Sequence, residues 1–201
     1  MLKFLFRKKN NLSDEEMLID WEKKGKPSPP PHIVKQLTIE KFQKKFRINI
    51  LVETGTFLGD MVESQKEHFK KIISIELSEN LFRKAEKKFR DYSHIEIIQG
   101  DSGTILPSII SKLNEPALFW LDGHYSGGIT AQGSKECPIP EELNAIFKSD
   151  LPHVILIDDA RLFNGTHDYP TIDEINALIV RYNKKFLLVI DDDIIRLTPE
   201  L

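Results

Sequence analysis

The sequence is poor in several features that define specialised classes of protein. Its 201 residues include a single cysteine, Cys137, which excludes an internal disulfide framework and favours a reducing compartment. A membrane-spanning helix needs about 18 consecutive apolar residues, and no stretch of the sequence approaches that length. The net charge of −3 excludes a bulk basic surface for nucleic acid, so no nucleic-acid partner is expected. Hydrophobic residues make up 40% of the chain, enough for one globular core.

The first residues show no targeting segment. Residues 1–9 are apolar and basic, but their apolar part is too short for the core of a signal peptide. We interpret them as a frayed or locally packed terminus, with a weak interfacial anchor as the alternative. A cytoplasmic location is therefore expected. The oligomeric state stays open, and a homo-oligomer is compatible with the sequence.

The N-terminal quarter of the chain is predicted to be helical. A capping box that begins at Ser13 predicts a helix over residues 14–24. Four prolines in residues 26–32 predict a stiff linker. Apolar residues at helical spacing predict a second helix over 33–46. Residues 1–47 are thus expected to form a helical extension with a proline-rich linker.

From residue 48, short apolar runs alternate with helix-length amphipathic stretches. The runs lie at 48–53, 72–77, 95–98, 117–121, 153–157 and 186–190. Such alternation predicts an α/β domain with a doubly wound, mostly parallel sheet. A seventh run at 194–197 follows too closely for a crossover helix, so the last two strands are predicted to form an antiparallel hairpin. We therefore expect residues 48–201 to form one domain around a seven-stranded, Rossmann-like sheet.

The turn after the first strand is predicted to bind a cofactor, because open α/β sheets bind ligands where their strands end. A dinucleotide motif that starts at Gly55 would need glycines at Phe57 and Asp60, and the residues that complete a P-loop are missing as well. An acid followed by G-x-x-x-G remains, which resembles the first motif of methyltransferases that use S-adenosylmethionine (SAM). The loop residues expected at the cofactor are Glu53, Gly55, Thr56, Phe57 and Gly59.

The second and third strands also end in polar residues. Glu76 is placed to accept hydrogen bonds from both ribose hydroxyls of SAM, and the alternative is a solvated strand-end acid. After the third strand, Asp101 or Ser102 is expected to face the adenine amino group. Asp101 alternatively caps the helix that is predicted to start near Thr104.

Three aspartates are predicted to meet where the fourth and fifth strands end. Asp122 follows the fourth strand, and Asp158 and Asp159 follow the fifth. No lysine or arginine lies within these motifs, and carboxylates that share a pocket repel one another unless protons or a cation compensate. A hard divalent ion such as Mg²⁺ takes oxygen ligands of this kind, so the three aspartates are candidate metal ligands.

Taken together, these motifs resemble the metal-dependent O-methyltransferases of the catechol type and those that methylate macrolide sugars. The resemblance covers about residues 48–198 and implies SAM binding, Mg²⁺ coordination by the three aspartates, and a hydroxyl of a small metabolite or sugar as acceptor. Catechol-type enzymes carry a lysine base where this chain has Tyr125. The candidate bases are therefore Asp122 and His124. Asp122 is also expected to contact the cofactor, and the alternative role of His124 is to support the loop through hydrogen bonds.

Other polar residues near these motifs are weaker candidates. His153 is expected to be structural, Cys137 an inert thiol, and His167 a substrate contact or a plain loop residue. The glycine-rich residues 126–137 are expected to form a substrate lid or a tolerated surface loop.

Two further hypotheses stay open. One keeps SAM but needs no metal, and the aspartates then orient the acceptor directly. The other is a degenerate methyltransferase fold that acts as a binding module, against which the intact glycines and acids at the strand ends argue.

Overall fold

The protein is described by a computed structural model that covers residues 13–123 and 137–200. The strands are β1 Ile50–Thr54, β2 Lys71–Glu76, β3 Ile95–Gln99, β4 Ala117–Leu121, β5 Val154–Ile157, β6 Phe186–Asp191 and β7 Ile194–Pro199. The helices are α1 Asp14–Lys23, α2 His32–Phe46, α3 Asp60–Gln65, α4 Glu79–Phe89, α5 Ser102–Ile110, α6 Ile139–Ile146 and α7 Ile172–Arg181, with a 3-10 helix at Ala160–Leu162. None of the helices described is both long and apolar enough to cross a membrane.

The seven strands form one sheet in the order β3-β2-β1-β4-β5-β7-β6. All strand pairs from β3 to β5 are parallel, and β7 runs antiparallel to both β5 and β6. The predicted doubly wound sheet with a C-terminal hairpin is therefore confirmed. The strand order reverses between β1 and β4, and ligands bind at this kind of switch point in open α/β sheets.

The central strands are buried on both faces, which explains their nearly continuous apolar sequences. Every residue of β1, β4 and β5 is buried. One core cluster packs α5, α6 and α7 against the sheet, and a second packs α2, α3 and α4 against the opposite face. Polar side chains are consequently concentrated in the last residues of the strands and in the turns that follow, where the predicted site residues lie.

Local sequence signals fix several helix starts. Ser13 and Thr171 both form complete capping boxes, with Glu16 and Glu174 as their partners. The predicted start of α5 near Thr104 is two residues late, because the helix already begins at Ser102.

The second helix of the N-terminal extension packs directly on the sheet. Ile39 and Phe42 on α2 lie in the core cluster that also contains Trp120 of β4 and Leu156 of β5. Because these contacts fix the helix, the side chains of its first turns are held near the ends of β4 and β5. The domain boundary at residue 47 stays a prediction. Helix α2, which precedes that boundary, is nevertheless part of the central core.

A core substitution on α2 tests whether this helix contributes to the stability of the sheet. Ile39→Ala should lower the free energy of unfolding by about 2–5 kcal/mol, because Ile39 is fully buried and its loss leaves a cavity. Leu37→Ala on the same helix, where Leu37 is 42% exposed, should change it by less than about 0.5 kcal/mol. Urea denaturation of the two variants measures the difference, and equal losses would mean that α2 is not anchored as described.

Candidate functional site

The loop after β1 is shaped by the neighbouring strand. Gly55 has φ +87°, and a Cβ there would lie 2.4 Å from the carbonyl oxygen of Asp122. The N–H groups of Gly55 and Thr56 both donate to the carbonyl of Ile75. The sequence predicts that this glycine lies at the cofactor. The structure gives a second reason, because the backbone that leaves β4 already fills the space where a side chain would start.

Glu76, the predicted ribose ligand, ties the end of β2 to this loop. Its Oε2 accepts a hydrogen bond from the N–H of Phe57 and its Oε1 accepts one from the N–H of Ser78, each at 2.8 Å. A carboxylate oxygen can accept two hydrogen bonds, so each oxygen of Glu76 retains capacity for a ribose hydroxyl. The carboxylate is therefore already oriented toward the loop before any ligand binds.

Glu53 lies beneath the loop rather than on its surface. Its side chain is 1% exposed and accepts a short hydrogen bond from the hydroxyl of Ser74, which lies 2.6 Å from the hydroxyl of Thr56. Burial raises the pKa of Glu53 to about 8; the Ser74 hydrogen bond opposes this shift, and the charge of Glu76 adds to it. Glu53 and Thr56 are thus placed to support the loop from inside, through Ser74.

The turn after β3 connects to a buried glutamate that sequence reasoning missed. Asp101 occupies the N-cap position of α5 without a side-chain capping bond, and Ser102 donates to Oε1 of Glu142 at 2.5 Å. Glu142 is fully buried, and burial raises its pKa to about 7. In the sequence, Glu142 reads as an ordinary acid in the first turn of α6. Only the packing of α5 against α6 places its carboxyl beneath the predicted adenine contact.

The ends of β4 and β5 come together as predicted from the sheet order. The N–H of Asp122 donates to the carbonyl of Thr54, and the N–H of Asp158 donates to the carbonyl of Leu121, each at 3.1 Å. Asp159 follows in a left-handed conformation with φ +56°. The structure therefore gathers the strand-end acids at the switch point of the sheet.

Two cations from outside the motifs compensate these acids: Lys35 of α2, and Arg161, which follows the motif of the fifth strand. Lys35 of α2 forms a very short ion pair with Oδ2 of Asp158, and its Nζ lies 3.9 Å from Oδ1 of Asp159. Arg161 contacts the same Oδ1 of Asp159 at 2.7 Å and pairs with Asp193 at the tip of the C-terminal hairpin. Lys35 is 123 residues from Asp158 in the sequence, so no local signal indicated its contribution.

The ionisation of this cluster reflects burial and opposite charge. Burial disfavours the charged form of Lys35, but the attraction of Asp158, Asp122 and Asp159 outweighs it and raises the pKa of Lys35. Burial raises the pKa of Asp158, and the Lys35 ammonium counteracts that rise. Burial also raises the pKa of the Tyr169 phenol, with Asp159 and Asp122 among the charges that add to the shift. Tyr169 therefore belongs to the surroundings of the same acids.

The carboxylates as they are arranged do not fit a magnesium ion. Asp158 uses Oδ2 for Lys35 and Oδ1 for the N–H of Asp159, and its side chain is 1% exposed. An ion that keeps an octahedral shell of oxygens needs carboxylate oxygens that face open space. Within residues 13–123 and 137–200, no group of three or more histidine, cysteine, aspartate or glutamate side chains is arranged to hold a metal.

The remaining candidates divide clearly. His124, Tyr125 and residues 126–136 lie outside the described residues, so the candidate base His124 and the candidate lid stay predictions. Cys137 is buried, and burial raises the pKa of its thiol to about 12, which agrees with an inert thiol. His153 lies just before β5, at the end of the strand away from the aspartates. It accepts a hydrogen bond from the N–H of Ala117, as expected for a structural residue.

A substitution at Gly55 tests the contact between the loop and β4. Gly55→Ala should lower the free energy of unfolding by more than about 2 kcal/mol, because its Cβ meets backbone atoms in addition to the cost of positive φ. Gly25→Ala is the matched control, with φ +78° and no atom within 4 Å of its Cβ, and should cost only about 1–2 kcal/mol. Chemical denaturation compares the two, and an equal cost would contradict the close approach of Asp122.

The pKa of Glu53 predicts a pH dependence of stability. Because the pKa of Glu53 is raised from 4.5 to about 8, the folded state holds a proton that the unfolded state releases, and stability falls as pH rises through this window. Glu53→Gln removes that titration, so its free energy of unfolding should fall less between pH 5 and pH 8.5. The flattening should be partial because Glu142, whose pKa is also raised, remains. The free energy of unfolding of both proteins is measured by urea titration at each pH. If it changes equally with pH in the wild type and in Glu53→Gln, Glu53 is not a buried, protonated carboxyl.

The chain resembles known proteins in structure. No protein-family model matches the chain, and no curated protein sequence matches it. Solved structures do match. The SAH-bound methyltransferase PaMTH1 of Podospora anserina, where SAH is S-adenosylhomocysteine, is 13% identical with a TM-score of 0.57, covering 94% of this chain and 89% of its own.

Two O-methyltransferases match over a similar extent. TomG of Streptomyces achromogenes, involved in tomaymycin synthesis and solved with SAM, is 14% identical with a TM-score of 0.57, covering 95% of this chain and 93% of its own. An O-methyltransferase of Bacillus cereus, solved with SAH, is 14% identical with a TM-score of 0.58, covering 92% and 89%. The chain therefore has the fold of class I SAM-dependent methyltransferases, as its strand-end motifs predict.

Proposed function

We propose that this protein is a SAM-dependent O-methyltransferase that acts on a hydroxyl group of a small metabolite or sugar. The observation that carries the proposal is the carboxylate of Glu76, which stands at the end of β2 and is tied to the glycine loop through the N–H of Phe57. The similar structures that hold SAM or SAH support the same cofactor. The acceptor class rests on the resemblance to O-methyltransferases and on the acids beside the switch point.

The cofactor fits along the ends of β1, β2 and β3. Glu76 would hold the ribose hydroxyls, since both of its oxygens retain acceptor capacity. Asp101 and Ser102 would border the adenine, with the Ser102 hydroxyl already directed at Glu142. Gly55 keeps the loop close to β4, so that the reactive end of the cofactor would point toward Asp122.

SAM supplies an electrophilic methyl group on a positively charged sulfur, which is a good leaving group. Asp122 would accept the proton of the acceptor hydroxyl, and bound SAM would supply the methyl group and leave as SAH. His124 is the alternative base. The main contribution of the protein is alignment of the two reactants, because an in-line displacement depends steeply on geometry.

We propose that this reaction needs no bound metal. Two of the three carboxylates expected to coordinate Mg²⁺, Asp158 and Asp159, are already engaged by Lys35 and Arg161, so no step is assigned to a metal ion. The magnesium-dependent mechanism that the sequence resemblance implied becomes the competing hypothesis. A cytoplasmic location stays a prediction of the sequence, and the oligomeric state stays open.

A substitution of Glu76 tests the cofactor site. Glu76→Ala should weaken SAH binding by about 1.5–3 kcal/mol, roughly 10- to 150-fold in Kd, because hydrogen bonds to a charged group are lost. Glu96→Ala on β3 removes an exposed glutamate and should bind like the wild type. Titration calorimetry on variants with native circular dichroism gives both affinities. Unchanged affinity in Glu76→Ala would refute the ribose assignment.

Methyl transfer itself separates an enzyme from a degenerate binding module. SAH release should be measured with SAM and a panel of hydroxylated metabolites and sugars, with and without a chelator. Release that requires an acceptor and persists in the chelator supports the proposed reaction. Tight SAH binding with no turnover on any acceptor favours the binding module.

A further inference from the structure

The acidic cluster at the ends of β4 and β5 receives its main positive charge from a helix that precedes the sheet in sequence. Lys35 lies in the first turns of α2, where Val34 and Thr38 are buried against the core. Its own side chain is only 15% exposed, so it reaches inward along the protein instead of into solvent. The packing of α2 therefore fixes where the ammonium stands.

The contacts of Lys35 are those expected of a cation shared among carboxylates. It pairs with Asp158, lies 3.9 Å from Asp159, and is close enough to Asp122 for that charge to act on it. These three aspartates are the residues that the sequence motifs suggested as metal ligands. A point charge on a flexible stem can occupy such a position without the strict octahedral shell that Mg²⁺ demands.

The second cation locks the rest of the cluster. The Nη1 atom of Arg161 contacts both Asp159 and Asp193. The backbone N–H of Arg161 also donates to Oδ1 of Asp193 at 2.9 Å. Asp159 is thereby held between Lys35 and Arg161. An unpaired buried carboxylate is costly, and the two cations offset that cost for Asp158 and Asp159 where β5 ends.

We propose that the Lys35 ammonium replaces a divalent cation in this cluster, so that helix α2 supplies the charge that orders Asp158 and Asp159 beside the acceptor. A lysine ammonium has three N–H donors. Among the residues that the structure describes, Lys35 donates one hydrogen bond, to Asp158. The others can reach an acceptor oxygen, which a metal would otherwise bind. The part of the inference that concerns the acceptor rests on the proposed methyl transfer; the replacement of a cation does not.

Binding of Mn²⁺ tests this directly, because its electron paramagnetic resonance signal weakens when the ion binds a protein. Wild-type protein, with and without SAH, should leave the signal of free Mn²⁺ unchanged. Lys35→Met removes the charge at similar length. It should weaken the Mn²⁺ signal at pH 8 at concentrations at least about tenfold below any at which the wild type does so. Lys35→Met combined with Asp158→Asn should lose that gain.

A matched control lysine stands at the opposite end of β5. Lys184 has a side chain that is 21% exposed, lies 3.7 Å from Asp150, and donates to the carbonyl of Ser149. Lys184→Met should bind no Mn²⁺, because among the residues that the structure describes this lysine pairs with one carboxylate, Asp150. Mn²⁺ binding by this variant equal to that of Lys35→Met would overturn the proposal, as would the absence of any gain in folded Lys35→Met.

The wild-type measurement keeps the proposal testable if Lys35→Met does not fold. Stoichiometric Mn²⁺ binding by the wild type that is lost in Asp158→Asn would overturn the replacement of the metal by Lys35. SAH affinity, measured by calorimetry on the same wild-type sample, reports on the proposed function separately. Absent SAH binding refutes the methyltransferase proposal, whereas the Mn²⁺ result decides only the role of Lys35.

Discussion

The close pairing of β1 with β4 is the constraint on which the rest of the site depends. Where the two strands end, the backbone of Asp122 passes so near Gly55 that no side chain fits between them. This contact fixes the path of the glycine loop, and the loop in turn meets the carboxylate of Glu76. Because the strand order reverses here, the cofactor loop and the acids beyond β4 share one small region.

Around this contact, the protein manages buried charge in two different ways. On the cofactor side, Glu53 and Glu142 are buried with hydroxyl partners, and burial raises the pKa of each toward or above neutrality. On the acceptor side, Asp158 and Asp159 are instead paired with cations. The first arrangement stiffens the loop from below, while the second keeps negative charge where β4 and β5 end.

The sequence predicts the fold well, because the alternation of strands and helices and the capping boxes at Ser13 and Thr171 are local signals. It also predicts that acids gather at the strand ends, since strand order follows from general rules for parallel sheets. It does not predict the partner of Asp158, because Lys35 is 123 residues away and reads as an ordinary lysine of an amphipathic helix. Glu142 was missed for a related reason, since helix-on-helix packing leaves no mark in a single sequence.

The ion pairs of Asp158 and Asp159 also bear on the order in which the protein assembles. Lys35 arrives from a helix that precedes every strand, while Asp193 sits in the turn between the last two strands and holds Arg161. The acid cluster is therefore closed by contacts of very different sequence separation, and long-range contacts cost more loop-closure entropy. In a chain emerging during synthesis, the loop after β1 and its partner Asp122 would be present before Asp193 is made, so the loop would be complete before the acid cluster.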